Sequence, residues 1–412
     1  MGGNASHRGR PTAAGAKIPP MELLDRLRGL PAARPLLERL ADLPGVYVVG
    51  GAVRDLLLGG QPVDLDLVVE GDAADVAQRL GGSAVVHDRF GTSTVRVDGF
   101  TYDIARARTE TYAHPGALPE VSPAGIEEDL RRRDFTVNAI AIALDGTVVP
   151  FPGALEDLDA RQLRVLHDHS FEDDPTRLLR LARYASRLRF AIEPHTLELV
   201  GSAVAAGVLA TVSGPRVGAE LRLLSREPDP VAGLEALREL GLDAAIDPGF
   251  GLSDSELARR ALGELPEDGR RDLVVLAIAM RGVREPAGLL NRLGFEAGDR
   301  DVVVSAARNA EALAQALSAA SKPSEIAAAA AGVSPEQVAL AAGLGAAAPA
   351  RDWLERLRHV RLEIDGRDLL SAGVPEGPAI GRALQAALQA KLDGLVTDRD
   401  GELRTALQAT RD

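Results

Sequence analysis

The 412-residue sequence has no cysteine. That one absence excludes disulfides, thiolate zinc sites, iron–sulfur clusters and cysteine nucleophiles. Lysine occurs only at Lys17, Lys322 and Lys391, so there is no Gly-rich phosphate loop ending in Lys and Ser or Thr. Aromatic residues make up 3%, and the cores must be built from Leu, Val, Ile and Ala. No apolar run reaches the length of a membrane span, and the first twenty residues lack the apolar centre of a secretory signal. The expectation is a chain that is neither inserted nor exported, in a cytoplasmic setting. A net charge of −13 argues against wrapping nucleic acid over the whole surface, so any polyanion site must be local.

What is present divides the chain in two. Residues 1–20 are rich in Gly, Ala, Pro and Ser without periodicity and read as a leader. Leucines at helical spacing from Met21 to Leu43 predict one or two short helices. A β-rich run, Gly45 to Val49, then passes through Gly50-Gly51 into a helix over Ala52 to Leu58. Val63 to Val69 reads as a second strand. Further strands are expected at Ala84 to His87, Ser93 to Val97 and Thr101 to Ala105, with a helix at Ala73 to Leu80. From about Asp157 the pattern is almost wholly helical, cut by Pro and Gly turns. A small mixed α/β module thus precedes a long α-helical part.

The chemistry concentrates in the module. Asp64 and Asp66, two apart on a predicted strand, fall on one face while Leu65 and Leu67 point to the core. Like charges so close need a cation, and hard oxygen donors suit Mg2+ held between carboxylates and substrate phosphates. Alone, the pair would read as two solvated aspartates. Its context is Gly50-Gly51-Ala52-Val53-Arg54-Asp55. Those glycines let the backbone approach a ligand, the helix start offers N–H groups, and Arg54 is expected to add a phosphate contact. Together they describe the metal–triphosphate arrangement of a nucleotidyl transferase. Asp103, on a further strand, is the candidate third carboxylate of a two-metal site, with Asp98 as its competitor.

Three ordered segments carry a resemblance: Gly50 to Asp55 with Asp64-Leu65-Asp66; Arg132-Arg133-Asp134-Phe135-Thr136-Val137-Asn138-Ala139; and Asp173-Asp174-Pro175-Thr176-Arg177 through Arg183. In order and spacing they resemble the class II tRNA nucleotidyltransferases and bacterial poly(A) polymerases, a branch of the polymerase-β-like nucleotidyltransferases. The likeness covers about the first half of the chain. It implies that Arg133 contacts the triphosphate while Asp134 and Asn138 hold ribose or local backbone. Without it, Arg131 to Arg133 would read as a solvated charge run balanced by Glu127, Glu128 and Asp129 on one amphipathic helix. Asn138, inside an apolar run, needs buried partners under either reading.

Asp174 and Arg177, at i and i+3, would share a helix face and form a surface ion pair. As a functional pair they offer one acceptor and one donor. Adenine and cytosine both present an exocyclic amine beside a ring-nitrogen acceptor, and guanine and uracil the reverse. The pair would thus accept A and C, since a wrong base leaves buried polar groups unpaired. The similar family uses these positions in that way. Arg180 and Arg183 would extend the site toward phosphates. Where the family usually has Glu, this chain has Asp173.

The resemblance implies an α+β fold, a small polymerase-β-like nucleotidyltransferase head with a mixed sheet followed by an all-α neck, body and tail. Expected boundaries are a leader over 1–20, head over 21–150, neck with the nucleotide-selecting helix over 151–212, body over 213–320 and tRNA-binding tail over 321–412. The implied activity is template-independent addition of CCA, or of its terminal A, to tRNA 3′ ends from CTP and ATP with release of pyrophosphate. It would use two Mg2+ on Asp64 and Asp66, with neither DNA nor membrane as partner. Poly(A) polymerase and CC-adding activity remain alternatives, as does a non-catalytic RNA-binding relative. Thr109 to Ala124 occupies the place of the family's flexible loop. The seven histidines, His167 and His169 included, read as surface residues, and Trp353 as core. Gly381, in a Gly/Pro turn entering a helix, is expected to allow close packing.

Overall fold

Alternation of aliphatic and polar residues decides where the sheet forms. In the computed structural model, which describes residues 20–87 and 92–410, a two-residue parallel pair, Gln162–Leu163 with Ala191–Ile192, stands apart, and nine short strands precede it after the leucine-rich start. They are β1 (Val46–Val49), β2 (Asp66–Val69), β3 (Ser83–His87), β4 (Thr92–Val97), β5 (Phe100–Arg106), β6 (Arg108–Thr111), β7 (Glu120–Pro123), β8 (Ile140–Ala143) and β9 (Val148–Pro150). Seven make one mixed sheet in the order β3-β4-β5-β2-β1-β8-β9. Every pairing is antiparallel except β2 with β5. The leader, apart from Pro20, lies outside the described residues.

The central strands are buried on both faces, as Val48, Leu67, Val68 and Ile104 show. Helices Pro20–Arg28 and Arg34–Leu40 bury Leu23, Leu27, Leu36 and Leu40 completely, which accounts for the spacing of leucines there. Tyr102 ties this layer to the sheet by donating its hydroxyl proton to the Ala32 carbonyl at 2.8 Å.

By compactness the chain divides into two units. The first comprises residues 1–177 and 189–203, the second residues 178–188 and 204–412. Apart from its turns, the second is helical throughout, its longest helix being Ala297–Ala319. Trp353 belongs to a core with Leu317, Val338 and Leu354, as its setting in an apolar pattern suggests. Gly381 lies inside the helix Pro378–Leu392, and a methyl group there would meet nothing within 4 Å. The close packing expected of it is therefore not formed.

One buried ion pair fastens the end of the second unit. Glu402 is fully buried and accepts hydrogen bonds from Lys391 Nζ at 2.6 Å and from the backbone N–H of Glu363 and Ile364. Burial pushes its carboxyl up, but these donors outweigh burial and hold it below its ordinary 4.5. A carboxyl lowered by folding stabilises the folded state above its unfolded value, and that contribution is lost as pH falls through the folded value. Glu402→Ala should lower unfolding free energy by about 3 kcal/mol at neutral pH. Urea titrations at descending pH should show variant and wild type converging below about 4.5.

Candidate nucleotide site

At the end of β1 the chain turns through Gly50, whose φ of 73° suits glycine, into the helix Gly51–Leu57. Register places Val49 opposite Asp66, so the glycine turn and the acidic strand start lie side by side. The strand is shorter than its pattern suggests. It begins at Asp66 because Val63 is exposed and Asp64 precedes the ladder. Alternation survives nonetheless: Asp64 and Asp66 are exposed while Leu65 and Leu67 are buried.

Asp103 joins them through the sheet. Parallel pairing of Leu67 with Ile104 carries Asp103 to the flank of Asp66. Although the residue is open to solvent on one side, protein packed around the rest of the Asp66 carboxyl desolvates it in part and raises it above its usual range; the charges of Asp103 and Asp64 add to this, and only Arg133 opposes it. Asp103 Oδ1 accepts a hydrogen bond from Thr94 Oγ1 across the β4–β5 pair at 2.6 Å. Among the described residues no three His, Cys, Asp or Glu side chains gather as one metal cage. Its competitor Asp98 sits in the β4–β5 turn, paired with Arg39 at 2.8 Å, and has no part here.

Arg133 covers the glycine floor: a methyl group on Gly50 would lie 3.6 Å from its Nη1. It is held there by Asp129 Oδ2, 2.9 Å from Arg133 Nη2. The other oxygen, Oδ1, accepts from Arg132 Nη2 at 2.7 Å and Nε at 3.0 Å, and from the Arg108 backbone N–H at 3.2 Å. Asp129 is fully buried. Burial would raise its carboxyl, yet Arg133 and Arg132 outweigh that and hold it below the usual range. The charge run is thus not one solvated face. Glu127, Glu128 and Arg131 are exposed, whereas Asp129 is an interior anchor that sequence reasoning placed among surface charges. A signal existed in its position beside Ile126 and Leu130 on the buried side of the helix Ile126–Arg131.

Arg54 departs from expectation. It is 2% exposed, with Nη1 donating to Asn138 Oδ1 at 2.7 Å and Nε to Asp55 Oδ1 at 2.8 Å. Asn138 Nδ2 in turn donates to Asp134 Oδ1, which also accepts from the Phe135 backbone N–H. A guanidinium enclosed this way braces the turn from beneath. Asp134 and Asn138 accordingly hold local backbone and Arg54.

The third motif is also rearranged. Asp174 does not share a helix face with Arg177, because the helix starts only at Thr176. Asp174 has an extended backbone and caps that start, its Oδ1 accepting from the Thr176 backbone N–H and hydroxyl. Arg177, 4% exposed, donates through Nη1 to Ser170 Oγ at 2.7 Å and through Nη2 to the Arg132 carbonyl at 2.6 Å. Arg180 and Arg183 belong to the second unit, where Arg183 pairs with Glu220 and Glu227, and Arg180 with Glu220. Both arginines thus face carboxylates in this structure.

The segment over Thr109 to Ala124 is in part ordered as the β6–β7 hairpin. Gly116 N–H donates to the Glu172 carbonyl at 3.2 Å. Glu110 accepts from Arg108, Arg132 and the Tyr112 hydroxyl. Burial and Glu110 push the Tyr112 phenol up, and Arg177 and Asp174 are among the charges that act on it. Tyr112 and Glu110 were not singled out from sequence. His167 is half-buried rather than superficial, its imidazole pushed down by burial and by Arg177.

Comparison with known proteins gives the family. Residues 46–164 match the Poly A polymerase head domain. An A-adding tRNA nucleotidyltransferase of Geobacter sulfurreducens is 34% identical over 400 residues, covering 89% of this chain and 45% of its own. A CC-adding tRNA nucleotidyltransferase of Deinococcus radiodurans is 36% identical over 375 residues, 88% of each chain. A structure described as a complex of CCA-adding enzyme with CTP superposes with a TM-score of 0.77 at 29% identity, covering 95% of this chain and 98% of that one. Of three A-adding relatives that it matches, the chain spans 27% to 58% of their length.

Proposed function

The chain belongs to the tRNA nucleotidyltransferases, and from that premise we propose that it adds nucleotides, CCA or the terminal A, to tRNA 3′ ends without a template. CTP and ATP would be the donors and pyrophosphate the product, in a cytoplasmic setting. The observation that carries this reading is the register that sets the Gly50 turn, with Arg133 over it, beside the Asp66 end of β2, where the charges of Asp103, Arg133 and Asp64 all act on the Asp66 carboxyl.

The donor set fits a divalent cation. Asp64 and Asp66 are hard-oxygen groups at the protein surface, and the Asp66 carboxyl is raised by partial desolvation first, then by the charge of Asp103 and last by that of Asp64; Mg2+ typically takes one or two carboxylates with substrate phosphates and water. They would hold it, with Asp103 as a flanking carboxylate. When bound, such ions lower the cost of forming a 3′-alkoxide and neutralise charge on the departing pyrophosphate. This chain's own residues do the rest. Gly50 lets the triphosphate approach the backbone, and Arg133 binds it from above. Asp103 accepts the proton of the attacking hydroxyl, with Thr94 fixing its orientation. Asp174 and Arg177 read the base, and the bonds from Arg177 to Ser170 and Arg132 fix its guanidinium plane in advance.

CC addition is the second reading, favoured by the near full-length match to the Deinococcus enzyme. One assay separates them. The protein would be incubated with tRNA lacking CCA, tRNA ending in C, tRNA ending in CC and an unrelated RNA, with each labelled NTP singly. Extension of the CC-ending tRNA by one A supports A or CCA addition, and extension by two C on tRNA lacking CCA, with none on the CC-ending tRNA, supports CC addition. Long A tracts on unrelated RNA identify a poly(A) polymerase, and no incorporation on any RNA overturns the proposal.

A further inference from the structure

We propose that Asp129 is a positioning residue that couples triphosphate binding to base selection by holding Arg133 and Arg132 with its two separate oxygens. The inference rests on the nucleotide site described above and adds a residue that touches neither substrate nor metal.

Asp129 Oδ2 orients Arg133 at 2.9 Å and 3.3 Å, through Nη2 and Nε, and Arg133 lies over the Gly50 floor next to Asp66. Asp129 Oδ1 fixes Arg132, whose guanidinium also reaches Glu110 at 3.0 Å. The carbonyl of that same Arg132 accepts the 2.6 Å bond from Arg177 Nη2. A shift of Arg132 therefore moves the acceptor that orients Arg177. One carboxylate thus sets the phosphate arm directly and the base arm through one intervening residue. Full burial makes the arrangement rigid, since no water is at hand to replace either arginine.

Asp129→Asn keeps the volume but presents an NH2 group where one arginine requires an acceptor. The expected result is an NTP KM raised about tenfold with kcat changed less than about threefold. In addition, the ratio of kcat/KM for accepted bases over rejected ones should fall about tenfold. A merely structural role would lower the active fraction, reducing kcat with KM and discrimination unchanged, and that outcome overturns the proposal. Arg132→Gln leaves Asp129 neutralised by Arg133 and serves if the first variant does not fold. It should lose discrimination with KM within about twofold of wild type, and unchanged discrimination overturns the coupling. Arg133→Gln tests the site itself: if its KM does not rise, the nucleotide reading fails. If its KM rises while Asp129→Asn matches wild type, the coupling alone is wrong.

Discussion

Replacing Asp64 and Asp66 by Asn should reduce nucleotide incorporation by about 10³-fold or more while tRNA binding stays within about twofold. The magnitude follows from the role. A metal that stabilises developing charge contributes several kcal/mol to the transition state, and each 1.36 kcal/mol is about a factor of ten. Asn keeps the shape and removes the charge, so the sheet should be undisturbed; both side chains are exposed and the core partners are Leu65 and Leu67. The Asp66 carboxyl is raised by partial desolvation and by its acidic neighbours, and neutralising it should leave stability equal or slightly increased. Single-turnover assays, filter binding and a thermal melt on the same preparation check all three parts. Activity within tenfold of wild type would remove these residues from the chemistry. Lost folding would show that the acids are needed structurally, which their exposure contradicts.

What could be read in the sequence was what depends on spacing. The glycine turn after β1, the alternation of Asp64, Leu65, Asp66 and Leu67, the helix Ala73–Leu80 and the change to an almost wholly helical pattern, broken only by the short pair Gln162–Leu163 and Ala191–Ile192 among the described residues, are all periodic or local signals, and all are found. What was not legible depends on partners distant in sequence. Arg54 reads as a phosphate ligand because arginine after a glycine turn commonly is one; its actual acceptor lies 84 positions away. Asp129 reads as one of three surface acids because its arginine partners also look solvated when listed by charge alone. Spacing alone puts Asp174 and Arg177 on one helix, whereas Pro175 and the hydrogen bonds from Thr176 to Asp174 delay the helix past Asp174. Spacing supplies the face of an element, but the destination of a long polar side chain is set by which buried acceptors the fold leaves unfilled.

Arg54→Met should lower the stability of the first unit by roughly 3 kcal/mol. The side chain is 2% exposed and satisfies Asn138 Oδ1, itself on a residue 4% exposed. Methionine fills a similar volume without a donor, so the Asn138 oxygen loses its hydrogen bond in a place water does not reach. Asp55, about a third exposed, can rehydrate, which keeps the loss below that of a fully enclosed pair. For a unit of this size the melting temperature should fall by about 6 to 12 °C. Arg54→Lys should recover only part, because a single ammonium cannot span Asp55 and Asn138 as the planar fork does. The contrast with nucleotide binding makes the test sharp. An arginine on the triphosphate would, when replaced, raise KM and leave the melt unmoved; a brace beneath the turn should shift the melt first and disturb KM only as Gly50 loosens. Thermal unfolding by near-ultraviolet circular dichroism, set beside KM for the NTP below the transition, distinguishes these two roles.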